Sequence, residues 1–394
     1  MEEMLPGPEP RVEIPPGRER ILPVAGTLLD GNELRYLAEC VETNWISSEG
    51  PFVARFEQAF AREVGCRFGV ACSSGTAALH LMLSAIGLES GDEVIIPTFT
   101  MIATANAITY TGATPVLVDA ERTTWNMDVS LVERAITSRT RAILAVHTYG
   151  HPMDMDPLRA LAEKHDLWLL EDAAEGHGAL YRGRPVGSLG DAAIFSFYGN
   201  KIVTTGEGGM VVTDDERIAS LARSLRGHAF SADRHFWHQY VGFNYRMTNM
   251  QAAIGLAQTE RMESLVAARR RNAHRYAEAL ADVPGLTLPE EYGDVKNVFW
   301  MYSLLVEDGF GCTRDQLRNA LAARGIETRS MFIPIHVQPI YRERFRGQQF
   351  PVAEELCRRG LYLPSGPALT AEDIAYVAGE VARVREGALV VGAE

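Results

Sequence analysis

The chain alternates between two hydrophobic patterns. Short, nearly unbroken apolar runs recur at Gly69–Cys72, Asp92–Pro97, Thr114–Asp119, Arg141–Val146, Leu167–Asp172, Ala192–Phe197 and Met210–Thr213. Runs of this length, apolar on both faces, predict strands covered on both sides. Helical spacing predicts helices at Leu79–Ile86, Asp128–Ile136, Asp156–His165 and Thr213–Arg226. Strand and helix in alternation predict an α/β fold with a mostly parallel sheet. Upstream, Leu28–Asn44 and the segment opening at Pro51 read as helices, and Met250–Leu280 reads as one long helix joining two domains. Its arginines Arg261, Arg269, Arg270 and Arg271 are expected on solvated faces.

From Pro284 on the pattern changes. Val298–Val306 and Ile326–Phe332 read as strands; Thr313–Arg324, Pro351–Arg359 and Ala371–Val384 read as helices, with Thr313 as a cap. A smaller α+β domain is expected there. The division is an arm (1–22), a large domain (23–255) and a small domain (256–394) that includes the long helix.

A length of 394 residues suits two domains, and 46% hydrophobic with 23% charged residues suits a globular core. The net charge of −13 disfavours nucleic acid and anionic membranes as partners. Five scattered cysteines without zinc or CxxC spacing indicate a reduced, cytoplasmic setting. No apolar run is long enough to span a membrane. Met1–Arg20 holds five prolines and no apolar centre, so it reads as a flexible or draped arm rather than a signal peptide. His147 and His151 would need a helix to share a metal, and Gly150 and Pro152 forbid one, so no metal site is expected.

Chemistry concentrates between two predicted strands, in Ser196-Phe-Tyr-Gly-Asn-Lys201 and Thr204-Thr-Gly-Glu-Gly-Gly209. A lone loop lysine is most often solvated, but Lys201 sits between core strands. Burial disfavours its ammonium and leaves a nucleophilic amine. Ser73-Ser-Gly-Thr-Ala-Ala78 opens a helix after a strand, and its free N–H groups at Gly75 and Thr76 suit a phosphate. Asp172 ends a strand, at the edge where open α/β sheets bind ligands.

The lysine segment resembles that of the DegT/StrS family of pyridoxal-phosphate (PLP) sugar aminotransferases. It is most similar to the perosamine-synthase-like branch of nucleotide-sugar 4-aminotransferases. The likeness runs from about Pro23 to about Pro364. It implies a fold-type I PLP enzyme with a seven-stranded sheet. Lys201 would be the Schiff-base lysine, with Asp172 facing the pyridine nitrogen and Glu175 near the cofactor hydroxyl, supported by His177. Ser74, Gly75, Thr76 and Ser196 would hold the phosphate. Members often carry a ring-stacking aromatic where this chain has Met101; the thioether takes its place, or Phe99 contributes. Asn244 in Asn-Tyr-Arg would reach the cofactor of a partner subunit, so a homodimer is implied, and Trp45–Phe52 would lie near the subunit contact. Tyr198, Arg329 and His336 would line the sugar-nucleotide side, with a satisfied loop histidine before Pro339 as the other reading of His336.

The implied reaction is transamination through the pyridoxamine form, with L-glutamate as donor and a nucleotide-linked 4-keto-6-deoxyhexose as acceptor. The dTDP-linked glucose-derived ketone is placed first and the GDP-linked mannose-derived ketone second. Sugar 3-dehydratases resemble this family but carry histidine at the lysine position. A 3-keto-sugar or cyclitol aminotransferase, and a regulatory protein that kept the fold, remain as alternatives. Rossmann GxGxxG, P-loop and GxSxG patterns are absent from the sequence.

Overall fold

The computed structural model describes residues 4–16, 20–231, 233–234 and 236–391. Helices α1 (Glu33–Glu42) and α2 (Pro51–Glu63) lead into β1 (Phe68–Cys72) and α3 (Gly75–Ala85). Then β2 (Glu93–Pro97), α4 (Ile102–Tyr110), β3 (Thr114–Val118), α5 (Val132–Ala135), β4 (Thr140–Val146), α6 (Met155–His165) and β5 (Trp168–Asp172) alternate. Short β6 (Leu180–Tyr181) and β7 (Arg184–Pro185) precede β8 (Ala192–Ser196) and β9 (Gly209–Thr213). Helices α7 (Glu216–Arg226), α8 (Asn249–Thr259) and α9 (Met262–Leu280) follow. The C-terminal part holds β10 (Leu286–Thr287), β11 (Val295–Lys296), β12 (Tyr302–Val306), α10 (Arg314–Ala322), β13 (Arg329–Ser330), α11 (Pro351–Arg359), β14 (Gly360–Leu363) and α12 (Ala371–Val391).

The large sheet has seven strands in the order β1-β9-β8-β5-β4-β2-β3. Only β9 runs against its neighbours; β8, β5, β4, β2 and β3 pair in parallel. Strands such as Ile194–Phe195 and Val211–Val212 are buried on both faces, as parallel sheets under helices require. Because β5 and β8 are parallel, their carboxyl ends share one edge. Asp172 pairs with Ile194, so Ser196 and the lysine loop emerge beside it. Beneath that loop Phe60 meets Phe195 and Phe197 edge-on at 4.9 and 5.0 Å, and Phe56 meets Phe197 at 5.0 Å. Each buried phenyl contributes roughly 2–3 kcal/mol, so the loop rests on a stiff base.

A second apolar cluster unites Leu22, Tyr276, Leu280, Tyr302, Leu317 and Val377 around the sheet β10-β12-β14-β13. Met331, Ile335, Phe350 and Leu356, by contrast, pack into the large cluster. Part of the arm drapes over the small sheet's side. Gly7 N–H donates to Asp315, buried Arg318 donates to the carbonyls of Gly7 and Pro8, and Leu22 bridges to Ile326. Residues 1–3 and 17–19 of the expected arm lie outside the described residues.

Several expected elements differ. The first helix spans only Glu33–Glu42. The long helix breaks at Glu260–Arg261, because the Glu260 carboxylate is held by Asn32 and Tyr36 and Arg261 pairs with Asp30. Thr248 caps α8, in a capping box with Gln251. Asn249 is buried and ties Phe52 N–H and the Trp45 carbonyl to the helix. Val298–Met301 is not strand: Val298 and Trp300 donate to the carbonyls of Gly150 and Tyr149, and Phe299 has a φ of 46°. In the expected strand Ile326–Phe332 only Arg329–Ser330 pairs as strand. Arg269 is not solvated. It is 2% exposed, on the same stripe of α9 as Leu265, Val266, Ala273 and Tyr276.

Candidate active site

Asp172 is buried at the end of β5, and its two oxygens accept from different donors. Thr104 Oγ donates to Oδ2 at 2.8 Å and Ala174 N–H donates to Oδ1 at 3.2 Å. Burial pushes this carboxyl above its ordinary range; both donors and the charge of Lys201 pull the other way. Three residues on, Glu175 accepts from Tyr149 N–H at 2.7 Å. Burial pushes Glu175 up to about 7, against the pull of Lys201. Tyr149 sits at φ 53°, a left-handed geometry a non-glycine residue adopts only when held. Its ring stacks on Phe332 at 5.0 Å and on Trp300 at 6.3 Å.

Lys201 Nζ approaches Glu175 Oε1 at 3.7 Å and lies 3.6 Å from the centroid of the Trp300 ring. Burial lowers its pKa from the ordinary lysine value, and Glu175 and Asp172 offset this in part. At the carboxyl ends of β5 and β8 the fold therefore gathers two buried carboxyl groups, one pushed up to about 7, and an amine whose pKa is lowered. Perturbed groups gathered this way mark reactive sites.

Ser196 ends β8 against the start of α3. A Cβ on Gly75 would fall 2.7 Å from Ser196 Cβ and 2.9 Å from its Oγ, so only glycine allows this approach. Ser74 caps α3 by accepting from Ala77 N–H at 3.1 Å. The Gly75 and Thr76 N–H groups precede the helix's own ladder and stay available as donors. His177 is buried among Phe60, Phe195 and Phe197, with its pKa pushed down to about 3 by burial. Neither ring nitrogen has a hydrogen-bond partner among the described residues.

Met101 and Tyr198 are each 51% exposed, and Asn244 is exposed beside its bridge to Gly227. Phe99 is not a free ring. It is fully buried and packs edge-on against Tyr149 and Phe332. Arg329 is exposed, pairs with Glu327 at 3.2 Å and lies across the strand pair from Tyr362. Both nitrogens of His336 are engaged inside the fold, as a satisfied loop histidine would be. Nδ1 meets Thr98 Oγ at 2.8 Å and Nε2 meets Glu354 at 3.2 Å, so the ring anchors α11 to the loop after β2. His147 likewise is a core residue bonded to Glu171 at 3.0 Å. Thr104, Tyr149, Trp300 and Arg269 were missed from the sequence, although Arg269 falls on the apolar stripe of its helix.

Against families of known proteins, residues 28–382 match the DegT/DnrJ/EryC1/StrS aminotransferase family. The chain belongs to that family. It is 49% identical over 352 residues to GDP-perosamine synthase of Caulobacter vibrioides, covering 89% of this chain and 95% of that one. It is 44% identical to GDP-perosamine synthase of Escherichia coli O157:H7, covering 91% and 97%. The structure of DesI in the presence of its TDP-sugar product superposes with a TM-score of 0.87 at 34% identity, covering 95% of each chain. As a family member the chain is a PLP-dependent aminotransferase acting on a nucleotide sugar. Among the described residues, no helix is long and apolar enough to cross a membrane.

The residues present fit PLP. A buried amine, a buried carboxylate and a hydroxyl beside free N–H groups match the aldehyde, ring nitrogen and phosphate of that cofactor. The Gly75–Ser196 cradle brings the last pair within contact of each other.

Proposed function

We propose that this chain moves an amino group from L-glutamate to C4 of GDP-linked 4-keto-6-deoxymannose, giving GDP-perosamine. The observation that carries the nucleotide is the 49% identity to GDP-perosamine synthase across 89% of the chain. The order set from the sequence, dTDP first and GDP second, is thereby reversed.

When bound, PLP supplies an aldehyde and a protonated ring that draws electrons from the donor's α-carbon. In this proposal Lys201 Nζ holds the cofactor. Once displaced, it carries a proton between the donor carbon and the cofactor, and then back for the sugar. Its buried position favours the free amine such a base needs. Asp172, with both oxygens fixed by Thr104 and Ala174, keeps a proton on the ring nitrogen. Glu175 faces the cofactor hydroxyl. Ser74, Gly75, Thr76 and Ser196 take the phosphate, and Met101 packs its thioether on the ring. Tyr198 and Arg329 meet the sugar nucleotide.

Met101, Tyr198, Trp45, Ile46 and Tyr240 are all exposed on the single chain. Their exposure supports a second copy that covers them and supplies Asn244, in a two-fold homodimer. The working division is a cofactor-holding domain (23–255) and a small domain from 256 on. Five free cysteines support a cytoplasmic setting.

The test converts PLP-loaded protein with L-glutamate, then adds GDP- or dTDP-linked 4-keto-6-deoxy sugar separately. Return of the visible cofactor absorbance with the GDP sugar is expected. Return only with the dTDP sugar overturns the nucleotide. Return with neither, after a normal glutamate step, moves the acceptor to a 3-keto sugar or cyclitol.

A further inference from the structure

Trp300 stands opposite Lys201, and nothing in the transfer reaction by itself asks for an indole there. Its placement is over-determined. Trp300 Nε1–H donates to the Asn200 carbonyl at 2.9 Å, which ties the ring to the residue before the lysine. Its own N–H donates to the Tyr149 carbonyl at 3.0 Å. Its carbonyl accepts from Arg269 Nη1 at 2.7 Å, and the same nitrogen also reaches the Ser365 carbonyl at 3.0 Å. The ring is further stacked against Tyr149 within 20° of parallel. A residue 4% exposed, held at its indole nitrogen and at both backbone polar atoms, presents one ring face, and Lys201 Nζ lies 3.6 Å from the ring's centre.

We propose that Trp300 is a positioning residue: its indole face is the seat on which the Lys201 amine rests whenever that amine is free. The inference deepens the aminotransferase reading and rests on it. In the first half of the proposed reaction the lysine leaves the cofactor, and it returns only as the second half closes. Between those moments a flexible four-carbon side chain would sample many rotamers. An aromatic face attracts the ammonium without supplying a hydrogen-bond acceptor. It therefore restrains the amine yet lets it go as soon as the proton is given up.

The groups facing Lys201 are Glu175 at 3.7 Å, Asp172 and Arg269, and His177 senses its charge. Glu175 and Asp172 favour the ammonium; burial and Arg269 oppose it. The indole adds to the first pair. Removing its face moves Lys201 toward the free amine at lower pH.

The chain has three lysines, Lys164, Lys201 and Lys296, so amine labelling can be mapped residue by residue. Trace acetylation of the full, cofactor-free chain across pH, followed by mass spectrometry, reads the titration midpoint of Lys201. Trp300→Leu is expected to lower that midpoint by about one pH unit, tenfold in free amine at a given pH. Trp300→Phe keeps a π face while losing the same Nε1–H bond, and should stay close to wild type. Chain grown with 5-fluorotryptophan keeps shape and hydrogen bonds but weakens the ring's negative face. It should shift the midpoint down by a smaller amount, and it serves if Trp300→Leu does not fold. An unchanged midpoint in the fluorinated chain, or equal shifts in the Phe and Leu variants, overturns the proposal. Loading wild type with PLP keeps the two ideas apart. Absence of cofactor absorbance and of glutamate-driven change sinks the function reading, whereas their presence with unmoved midpoints sinks only the seat.

Discussion

Two buried basic side chains in this molecule are treated in opposite ways. Arg318 on α10 is 1% exposed at its side chain, and both terminal nitrogens of its guanidinium are engaged. Nη2 donates to the carbonyls of Gly7 and Pro8 at 2.8 and 2.9 Å, and Nη1 donates to Ser330 at 3.0 Å and to Glu9 at 3.4 Å. Lys201, in the loop after β8, is 10% exposed at its side chain, yet among the described residues its amine meets only Glu175 at 3.7 Å and an indole face. Arginine cannot release its proton inside a protein, so a buried one must be surrounded by acceptors. Lysine can, and burial without tight acceptors leaves that route open. Arg269 falls between them. It donates to two carbonyls, and burial pushes it down to about 10, still charged at neutral pH. The same low-dielectric interior thus builds a clasp in one place and a base in another. The difference lies in how many acceptors surround the cation.

The contrast breaks hardest at Lys201. Lys201→Ala is expected to fold and to lose amino transfer by at least about a thousandfold, measured by the keto-sugar assay on protein of unchanged circular dichroism. Full activity would remove the lysine from the mechanism. Arg318→Ala should do the reverse. It should cost about 2–4 kcal/mol of stability by denaturant titration, because the Gly7 and Pro8 carbonyls lose their donor, while turnover per folded molecule stays as in wild type.

Glu175 sharpens the comparison through pH. Its folded value of about 7 lies above the ordinary 4.5, so between those values the folded chain holds a proton that the unfolded chain has released. Stability from this group is present below about pH 4.5, is lost as pH rises through 7, and stays lost above. Glu175→Gln removes that loss. Relative to wild type, the cofactor-free variant should gain about 2–3 kcal/mol on going from pH 5 to pH 8. Parallel pH curves for the two proteins would refute the burial argument. The smallest effect is expected at Thr104→Val, which takes one donor from Asp172. Transfer should fall about tenfold with little change in stability, and Thr104→Ser should restore it.

Much of this was legible in the chain. The seven strands of the large sheet are apolar on both faces, and such runs announce themselves without tertiary information. Thr313 caps its helix in a capping box with Gln316, a pattern local enough to read from spacing. What escaped depends on partners far away in sequence. The break after α8 is made by Asn32, Tyr36 and Asp30, more than 200 residues upstream. Trp300 hid inside an apolar run read as strand, because its backbone pairs with the 149–150 turn rather than a sheet neighbour. Arg269 was assigned to solvent by residue type, although its spacing from Leu265 and Ala273 placed it on the buried stripe. Spacing was the better guide. At His336 the sequence left two readings open, and its bonds to Thr98 and Glu354 come from segments more than 15 residues away that no local pattern announces.

Whether Lys201 is the amine that holds the cofactor can be measured directly. PLP-loaded protein is treated with sodium borohydride, which fixes a carbonyl–lysine linkage as a stable secondary amine, then digested and mapped by mass spectrometry. The chain has two alternative lysines: Lys164, exposed and paired with Glu133, and Lys296 in β11. The account predicts the label on Lys201 alone and none in Lys201→Ala. A label on Lys164 or Lys296, or an unlabelled Lys201 in protein that retains cofactor absorbance, would contradict it.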